Sequence, residues 1–398
     1  MPKLHGAWLV LLGLGAAGRA RARASWEELV HEAANDAHSL VDDQVSLIDS
    51  VQRKIKNRRK NRAKTKATPK FEIVLGVVTN PRTPQTRLWI RNTYLRSAYY
   101  AKANVLARFV LGNRGLSAHD KTQLDKEQRE NGDIEYVDAS DFAVAGGIYS
   151  CIDKLFAWFR HAPVQYPGAK WYVKADDDSF VDLPRLAALL QPASGERNVY
   201  AGFLQYDSLI LDEWKHCGWG DNPIAAVHGK QGCPSGRTFG PFPFVVGALT
   251  VMGRDLAYLF SSSTYIENLV DRGRATQGKS RHWDCGYSDV TLGYALASTN
   301  ISGGVTLISL EDAFRDATYK KMDSNQYVVS HHLRSLDAFE RAASGSTRKY
   351  TSALSHCAPW GEVHNISSQA HALKEALGFY RCCQSWRRCE IHQITEIG

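Results

Sequence analysis

Three consecutive aspartates, Asp176, Asp177 and Asp178, directly follow a short apolar run that begins at Trp171. Adjacent carboxylates repel one another, so a fold that gathers them at the end of a strand usually has a cation to place there. Mg²⁺ and Mn²⁺ take oxygen ligands and are commonly shared between carboxylates and the phosphates of a substrate. A solvated acidic turn is the alternative interpretation, and the triplet alone does not decide between the two.

The sequence around the triplet predicts the elements that position it. The run from Trp171 to Ala175 is rich in β-formers and predicts a strand, whereas the spacing of apolar residues from Leu183 to Leu190 predicts a helix. Asp182 is expected to cap that helix, with Pro184 in its first turn. Since ligands of open α/β sheets sit at the carboxyl ends of strands, the triplet lies where a ligand is expected.

A second carboxylate, Asp289, stands at the start of another predicted helix. It is either a helix cap or a functional carboxylate, such as the general base that deprotonates a hydroxyl. Trp283 and Asp284, just before it, would bind an acceptor by stacking and hydrogen bonding, or would pack beside a disulfide of Cys285. The small pair Gly247 and Ala248 would let the backbone approach a ligand, or would merely permit tight packing.

The rest of the chain alternates strands with helices of about 10–15 residues, which predicts βαβ units and an α/β fold with a mostly parallel central sheet. Residues 205–243 break this pattern, because they are rich in Gly, Pro, Trp and Cys without a regular period. Long irregular segments are usually functional, so this one could form the acceptor side of a cleft. Trp214 and Trp219 would then be stacking platforms; the alternative is that they are core residues.

Composition describes a globular chain of 398 residues in which 44% are hydrophobic, enough for a sizeable core. The net charge of +8 is concentrated in residues 51–70, which hold ten Lys or Arg and no acid. The remainder is close to neutral, so nucleic acid is not expected as a partner.

The N-terminus has an apolar run from Ala7 to Ala17, which suits a secretory signal or a short signal-anchor better than the roughly 20 residues of a membrane span. We therefore expect residues 1–24 to be that signal or anchor, and 25–70 to be a stem, helical and then basic. Membrane association through this end and homodimerisation through the stem are both open. A solvated spacer and a contact with anionic lipid are alternatives for the basic stretch.

Eight cysteines, an even number, favour disulfides in an oxidising compartment, and the lack of a CxxC pair argues against zinc. Asn300 and Asn365 begin glycosylation sequons. Residues 336–398 are predicted to be a Cys-rich C-terminal extension.

Four stretches in the same order resemble the family 31 glycosyltransferases, the β-1,3-galactosyltransferase, core-1 and Fringe group. They are the strand with its DDD triplet, the "IRxTW" element at 88–94, the "EDVxxG" element at 288–293 and the late strand ending in histidine at 327–332. Ser288 replaces the first acid of the third element, and Tyr94 replaces the usual Trp of the second. The likeness covers about 71–335.

The resemblance implies a single GT-A catalytic domain at 71–335, inversion at the anomeric carbon, a Mn²⁺ or Mg²⁺ cofactor and residence in the Golgi lumen, either membrane-anchored or secreted. The sugar donor would be a UDP-sugar carrying Gal, GlcNAc or GalNAc. The acceptor would be a glycan, glycoprotein or glycolipid, and the expected linkage is β-1,3.

Residue roles follow from the same resemblance. Asp178 would be a metal ligand with His332, or failing that with His331, and Asp289 would be the general base. The residues expected at the sugar donor are Asp176, Asp177, Lys174, Arg87 and Arg91. Those expected at the acceptor are Gly247, Ala248, Trp283 and Asp284.

Two rival functions stay open at this stage. A secreted carbohydrate-binding protein could keep the fold without turnover, which Ser288 and the thin glycine element Gly247-Ala248 would allow. A hydrolase could use the acidic cluster on phosphate esters, and it would need no sugar acceptor.

Overall fold

The computed structural model describes residues 71–96, 100, 104–141, 150–220, 233–234, 236–275, 288–299, 301–302, 304–310, 314–316, 327–345 and 380–382. Several predictions made above fall outside these residues: the signal at 1–24, the stem at 25–70, most of 336–398, and Trp283, Asp284, Asn300 and Asn365.

The strands, in chain order, are β1 Ile73–Val78, β2 Val105–Arg114, β3 Ile134–Ser140, β4 Trp171–Asp176, β5 Phe180–Val181, β6 Val199–Ile210, β7 Lys215–Gly220, β8 Thr238–Gly253, β9 Val305–Ser309, β10 Phe314–Asp316, β11 Val329–His331 and β12 Tyr380–Cys382. The helices are α1 Pro84–Asn92, α2 Ala118–Asn131, α3 Ser150–Gln165, α4 Leu183–Leu190, α5 Arg254–Ser262, α6 Thr264–Ala275, α7 Ser288–Ala297 and α8 Leu336–Gly345.

The central sheet has the order β12-β9-β6-β8-β4-β1-β2-β3, with β7 alongside β6. Most pairs are parallel, whereas β8 runs antiparallel to both β4 and β6. Buried apolar clusters cover both faces, which explains why strands such as β1 read as continuous apolar runs. The predicted α/β class with a mostly parallel sheet is confirmed.

Helix α3 packs closely on the sheet through Trp158. A Cβ placed on Gly76 of β1 would lie 2.3 Å from the indole, so only glycine leaves room for this ring. The indole N–H donates to the carbonyl of Val173 in β4 at 3.0 Å. The packing of α3 therefore fixes β1 and β4, the strands that lead into the candidate site.

A small second sheet, β10-β11-β5, lies next to the acidic turn. Strand β5 follows the aspartate triplet, and it pairs antiparallel with β11, which ends at His331. This pairing brings the late histidines to the triplet although about 150 residues separate them along the chain.

The prediction of an irregular segment at 205–243 is wrong for its described part. The end of β6, β7 and the start of β8 form an antiparallel ribbon. Strands are recognised in a sequence by a two-residue alternation of apolar and polar residues. Here that alternation is broken by register shifts in both pairings and by prolines 241 and 243 within β8, so the strands could not be recognised. A disulfide joins Cys217 to Cys233 at the edge of the ribbon.

Cysteine chemistry agrees with an oxidising compartment: among the described residues, every cysteine is bonded. None of the helices seen in the described ranges is both long and apolar enough to traverse a bilayer.

Candidate active site

The acidic turn sits at the carboxyl edge of the sheet, where Asp176 is in register with Val78 of β1. Asp177 faces back towards the loop after β1: its carboxylate accepts hydrogen bonds from the hydroxyls of Thr79 at 2.7 Å and Thr83 at 3.2 Å. Burial raises the pKa of Asp177, and the two neighbouring carboxylates add to the shift. In this structure Asp177 therefore supports the turn, and its predicted contact with the sugar donor stays a prediction.

Asp178 faces the late histidines. Its carboxylate lies 3.3 Å from His331 Nε2, and its carbonyl accepts the N–H of Leu333 at 2.9 Å. Burial alone would raise the pKa of Asp178, but the hydrogen bond and charge of His331 outweigh it and hold this pKa below its usual range. Asp178 is therefore ionised beside a charged His331; binding of a metal would need the ionised Asp178 together with a neutral His331.

His331 and His332 stack with their rings 3.8 Å apart, and His332 adopts a left-handed backbone with φ 62°. Such a conformation costs about 1–3 kcal/mol for a residue other than glycine and often marks a functional site, although Asn104, Asn198 and Trp214 also adopt it in this chain. One ligand atom from each histidine and one from Asp178 all lie within 4.8 Å of one another. One carboxylate and two imidazoles fit a transition metal such as Mn²⁺ better than Mg²⁺, because imidazole nitrogen is a softer ligand than oxygen. The structure thus brings together the predicted ligand Asp178 with both histidines.

Lys174, the next inward-facing residue of β4, lies beside the triplet. Its ammonium is 2.5 Å from Asp176 Oδ1 and also donates to the carbonyl of Gly247 in β8. A Cβ on Gly247 would lie 3.5 Å from Asp176 Oδ2 and 3.8 Å from Asp289 Oδ2. Gly247 therefore stands between the acidic turn and Asp289. Its neighbour Ala248 is fully buried in an apolar cluster, and its predicted place at the acceptor stays a prediction.

Asp289 occupies the first turn of α7. One carboxylate oxygen accepts the N–H of Gly247 at 3.1 Å, and the other accepts the N–H of Val290 at 3.0 Å. Burial raises the pKa of Asp289, and the charge of Lys174 offsets the shift only in part. A raised pKa makes this carboxylate a stronger base than a solvated aspartate, and the backbone contacts fix its direction.

Arg87 and Arg91 lie behind this arrangement. Arg87 is 1% exposed, pairs with Glu127 and donates to the carbonyl of Asn80 at 2.6 Å. Arg91 pairs with Asp133 at 2.8 Å. These contacts make Arg87 a buried support of the loop after β1, so a direct contact with the sugar donor would require its ion pair to open.

The sequence did not predict the buried residues whose hydrogen bonds support the acidic turn. The ammonium of buried Lys154 donates to the carbonyl of Thr79 and lies 2.6 Å from the buried carboxylate of Asp141. Thr79 in turn binds Asp177. Their position in the sequence could have identified two of them, because Thr79 and Asp141 directly follow β1 and β3 and so lie at the carboxyl edge of the sheet, where ligands bind.

Comparison with known proteins finds galactosyltransferases among the relatives of this chain. Residues 85–267 match the family model described as Galactosyltransferase. Mouse beta-1,3-galactosyltransferase 6 is 26% identical over 285 residues, which cover 69% of this chain and 74% of the mouse protein. Hydroxyproline O-galactosyltransferase GALT5 of Arabidopsis thaliana is 26% identical over 138 residues, 34% of this chain and only 19% of the plant protein.

Two solved structures show remote likenesses. A glycosyltransferase involved in glycosylation of the major capsid of PBCV-1 has a TM-score of 0.33 at 10% identity, covering 69% of this chain and 99% of its own. An active-site mutant of LgtC has a TM-score of 0.37 at 11% identity, covering 73% of this chain and 99% of its own. TM-scores this low add nothing to the assignment. The family model and the mouse relative are both galactosyltransferases, and they support the resemblance of the ordered motifs to glycosyltransferase family 31.

Proposed function

We propose that this glycosyltransferase is inverting and metal-dependent, and that it moves Gal, GlcNAc or GalNAc from a UDP-sugar to a hydroxyl of a glycan acceptor, forming a β-1,3 linkage. The observation that supports the proposal most strongly is the approach of two carboxylate centres, the Asp176 to Asp178 turn and Asp289, on either side of Gly247.

The first centre suits the leaving group. Asp178, His331 and His332 would hold the cation, and Mn²⁺ or Mg²⁺ bound there would neutralise the departing diphosphate as a Lewis acid. Lys174, 5% exposed, adds a fixed positive charge beside Asp176 at the same edge.

The second centre suits the acceptor. Asp289 takes the proton from the acceptor hydroxyl while the hydroxyl oxygen forms a bond to C1 of the donor sugar, and the bond from C1 to the diphosphate breaks on the opposite face. The N–H groups of Gly247 and Val290 hold the carboxylate towards the glycine, where a substrate can approach the backbone closely.

The proposed compartment is the secretory pathway, in the Golgi lumen. It is supported by the disulfide between Cys217 and Cys233 and by the N-terminal apolar run.

The test is a UDP-release screen. The full chain, secreted from a eukaryotic host, is incubated with UDP-Gal, UDP-GlcNAc or UDP-GalNAc and a panel of glycan acceptors, in Mn²⁺ or in EDTA. The proposal expects acceptor-stimulated UDP release with one sugar donor in Mn²⁺ and none in EDTA.

Asp178→Asn should abolish that release. Asp212→Asn is the matched control, because Asp212 is an exposed carboxylate paired with Arg237 on the ribbon and should behave as wild type. Binding of the sugar donor without use of any acceptor would favour a carbohydrate-binding protein instead. Equal release in EDTA would refute the metal site.

A further inference from the structure

The β6–β7–β8 ribbon projects beyond the catalytic edge of the sheet. Strand β8 pairs with β4 only from Leu249 to Gly253, and β6 pairs with β9 only from Val199 to Gly202. The remaining residues of both strands continue past the acidic turn and pair with each other and with β7. The ribbon therefore continues past the edge of the sheet that carries the acidic turn, and Gly247, which lies between that turn and Asp289, belongs to its strand β8.

Trp219 of β7 gives this ribbon an aromatic surface. Its side chain is 61% exposed, whereas the other tryptophan of the segment, Trp214, is 5% exposed and packs edge-on against Tyr294. The indole N–H of Trp219 donates to Gln205 Oε1 at 2.8 Å. This bond restrains the orientation of the ring, more than half of which stays exposed to a ligand.

The ring lies near residues that approach both ends of the candidate active site. On one side its centroid is 6.5 Å from that of Phe244, which packs in one cluster with Val290, the neighbour of Asp289. On the other side, β6 carries Phe203 two residues before Gln205. Phe203 lies 5.0 Å from Phe314, and that ring lies 6.2 Å from His331.

We propose that Trp219 is an acceptor subsite, on which a pyranose ring stacks through its C–H face. A pyranose has an apolar face of C–H groups and a rim of hydroxyls, so an exposed, oriented aromatic ring beside an amide is suited to bind it. The proposal deepens the function proposed above and rests on it.

The stacked sugar is the second unit of the acceptor, not the one that reacts. Trp219 contacts Phe244, and Phe244 belongs to the same buried cluster as Val290, the neighbour of Asp289. We therefore place the sugar on the indole next to, and not at, the sugar whose hydroxyl reaches the base. The enzyme should therefore prefer a disaccharide acceptor to the monosaccharide that carries the same reacting sugar.

The test compares KM values for β-linked methyl monosaccharides with those for disaccharides of the same terminal sugar, using the UDP-sugar selected in the screen and Mn²⁺. Wild-type enzyme should have about a tenfold lower KM for the best disaccharide, equivalent to roughly 1.4 kcal/mol. Trp219→Ala should remove this advantage, and Trp219→Phe, which keeps an aromatic face, should retain most of it. Leu211→Ala, a change at an exposed apolar residue of the same ribbon, is the control and should keep it.

The subsite would be overturned if wild-type enzyme preferred no disaccharide over its monosaccharide, or if Trp219→Ala kept the preference undiminished. It would also be overturned if Trp219→Ala raised KM for the UDP-sugar in parallel, because that would indicate a structural role. Failure of the wild type to release UDP from any UDP-sugar is a different outcome, because it refutes the proposed function itself.

Discussion

At the scale of single residues, Lys174 joins the two carboxylate centres. Its ammonium bonds to Asp176 and to the carbonyl of Gly247, and its charge lowers the pKa of Asp289 against the effect of burial. Lys174 thus connects the acidic turn to Asp289, because the Gly247 whose carbonyl it bonds also donates its N–H to Asp289. Its predicted contact with the sugar donor stays a prediction.

Asp182 gives a prediction about pH. Burial raises its pKa to about 6, although the backbone N–H of Arg185 bonds to it. Because the folded-state pKa exceeds that of the unfolded chain, its contribution to stability is fully present below about pH 4 and is lost as the pH rises through about 6.

Asp182→Asn keeps a capping oxygen and removes this titration. Relative to wild type, its free energy of unfolding should therefore rise by about 2 kcal/mol between pH 4 and pH 8. Urea unfolding at several pH values measures the difference. A difference that stays constant with pH would show that the raised pKa is wrong.

The sequence predicted the local role of a residue better than it predicted which distant residues that residue contacts. The cap at Asp182 is confirmed, since its side chain accepts the N–H of Arg185, and it needed only local sequence. The position of Gly247 between Asp176 and Asp289 could not be predicted, because these residues lie on three elements joined only by tertiary packing. The same reason hid the contact between Thr79 and Asp177, 98 residues apart.

At the scale of elements, the fit of α3 on the sheet depends on Gly76. Gly76→Ala would place a methyl group 2.3 Å from the ring of Trp158, so we expect a loss of about 1–3 kcal/mol in the free energy of unfolding. The control is Gly195→Ala, where the ideal Cβ has no neighbour within 4 Å among the described residues. Thermal unfolding compares them, and equal midpoints would contradict this account of the packing.

Elements with one clear period were predictable, and those with mixed patterns were not. The apolar run of β4 and the helical spacing of α4 gave the strand, turn and helix around the triplet. The ribbon was missed because bulges and prolines interrupt its alternation. Strand β5 has only two residues, too few to carry a pattern, yet its pairing with β11 brings the histidines to Asp178.

At the scale of the whole molecule, binding of UDP and Mn²⁺ should stabilise the native state. At concentrations 100 times the Kd, the free energy of unfolding should rise by about 2.7 kcal/mol, and Tm should rise by roughly 5–10 °C. Uridine with Mn²⁺, which lacks the diphosphate, is the control and should give little shift. Scanning fluorimetry measures both, and an equal UDP shift in EDTA would contradict a metal-bridged diphosphate.

In the proposed mechanism Asp289 acts as the base while the acidic turn holds the sugar donor. The most direct measurement is kcat for Asp289→Asn beside the Kd of UDP and Mn²⁺. The matched control is Asp255→Asn, an exposed aspartate that is likewise the second residue of its helix. We expect kcat to fall about 10²–10⁴-fold in Asp289→Asn with an unchanged Kd, and Asp255→Asn to match wild type. A kcat near that of wild type in Asp289→Asn would contradict the account.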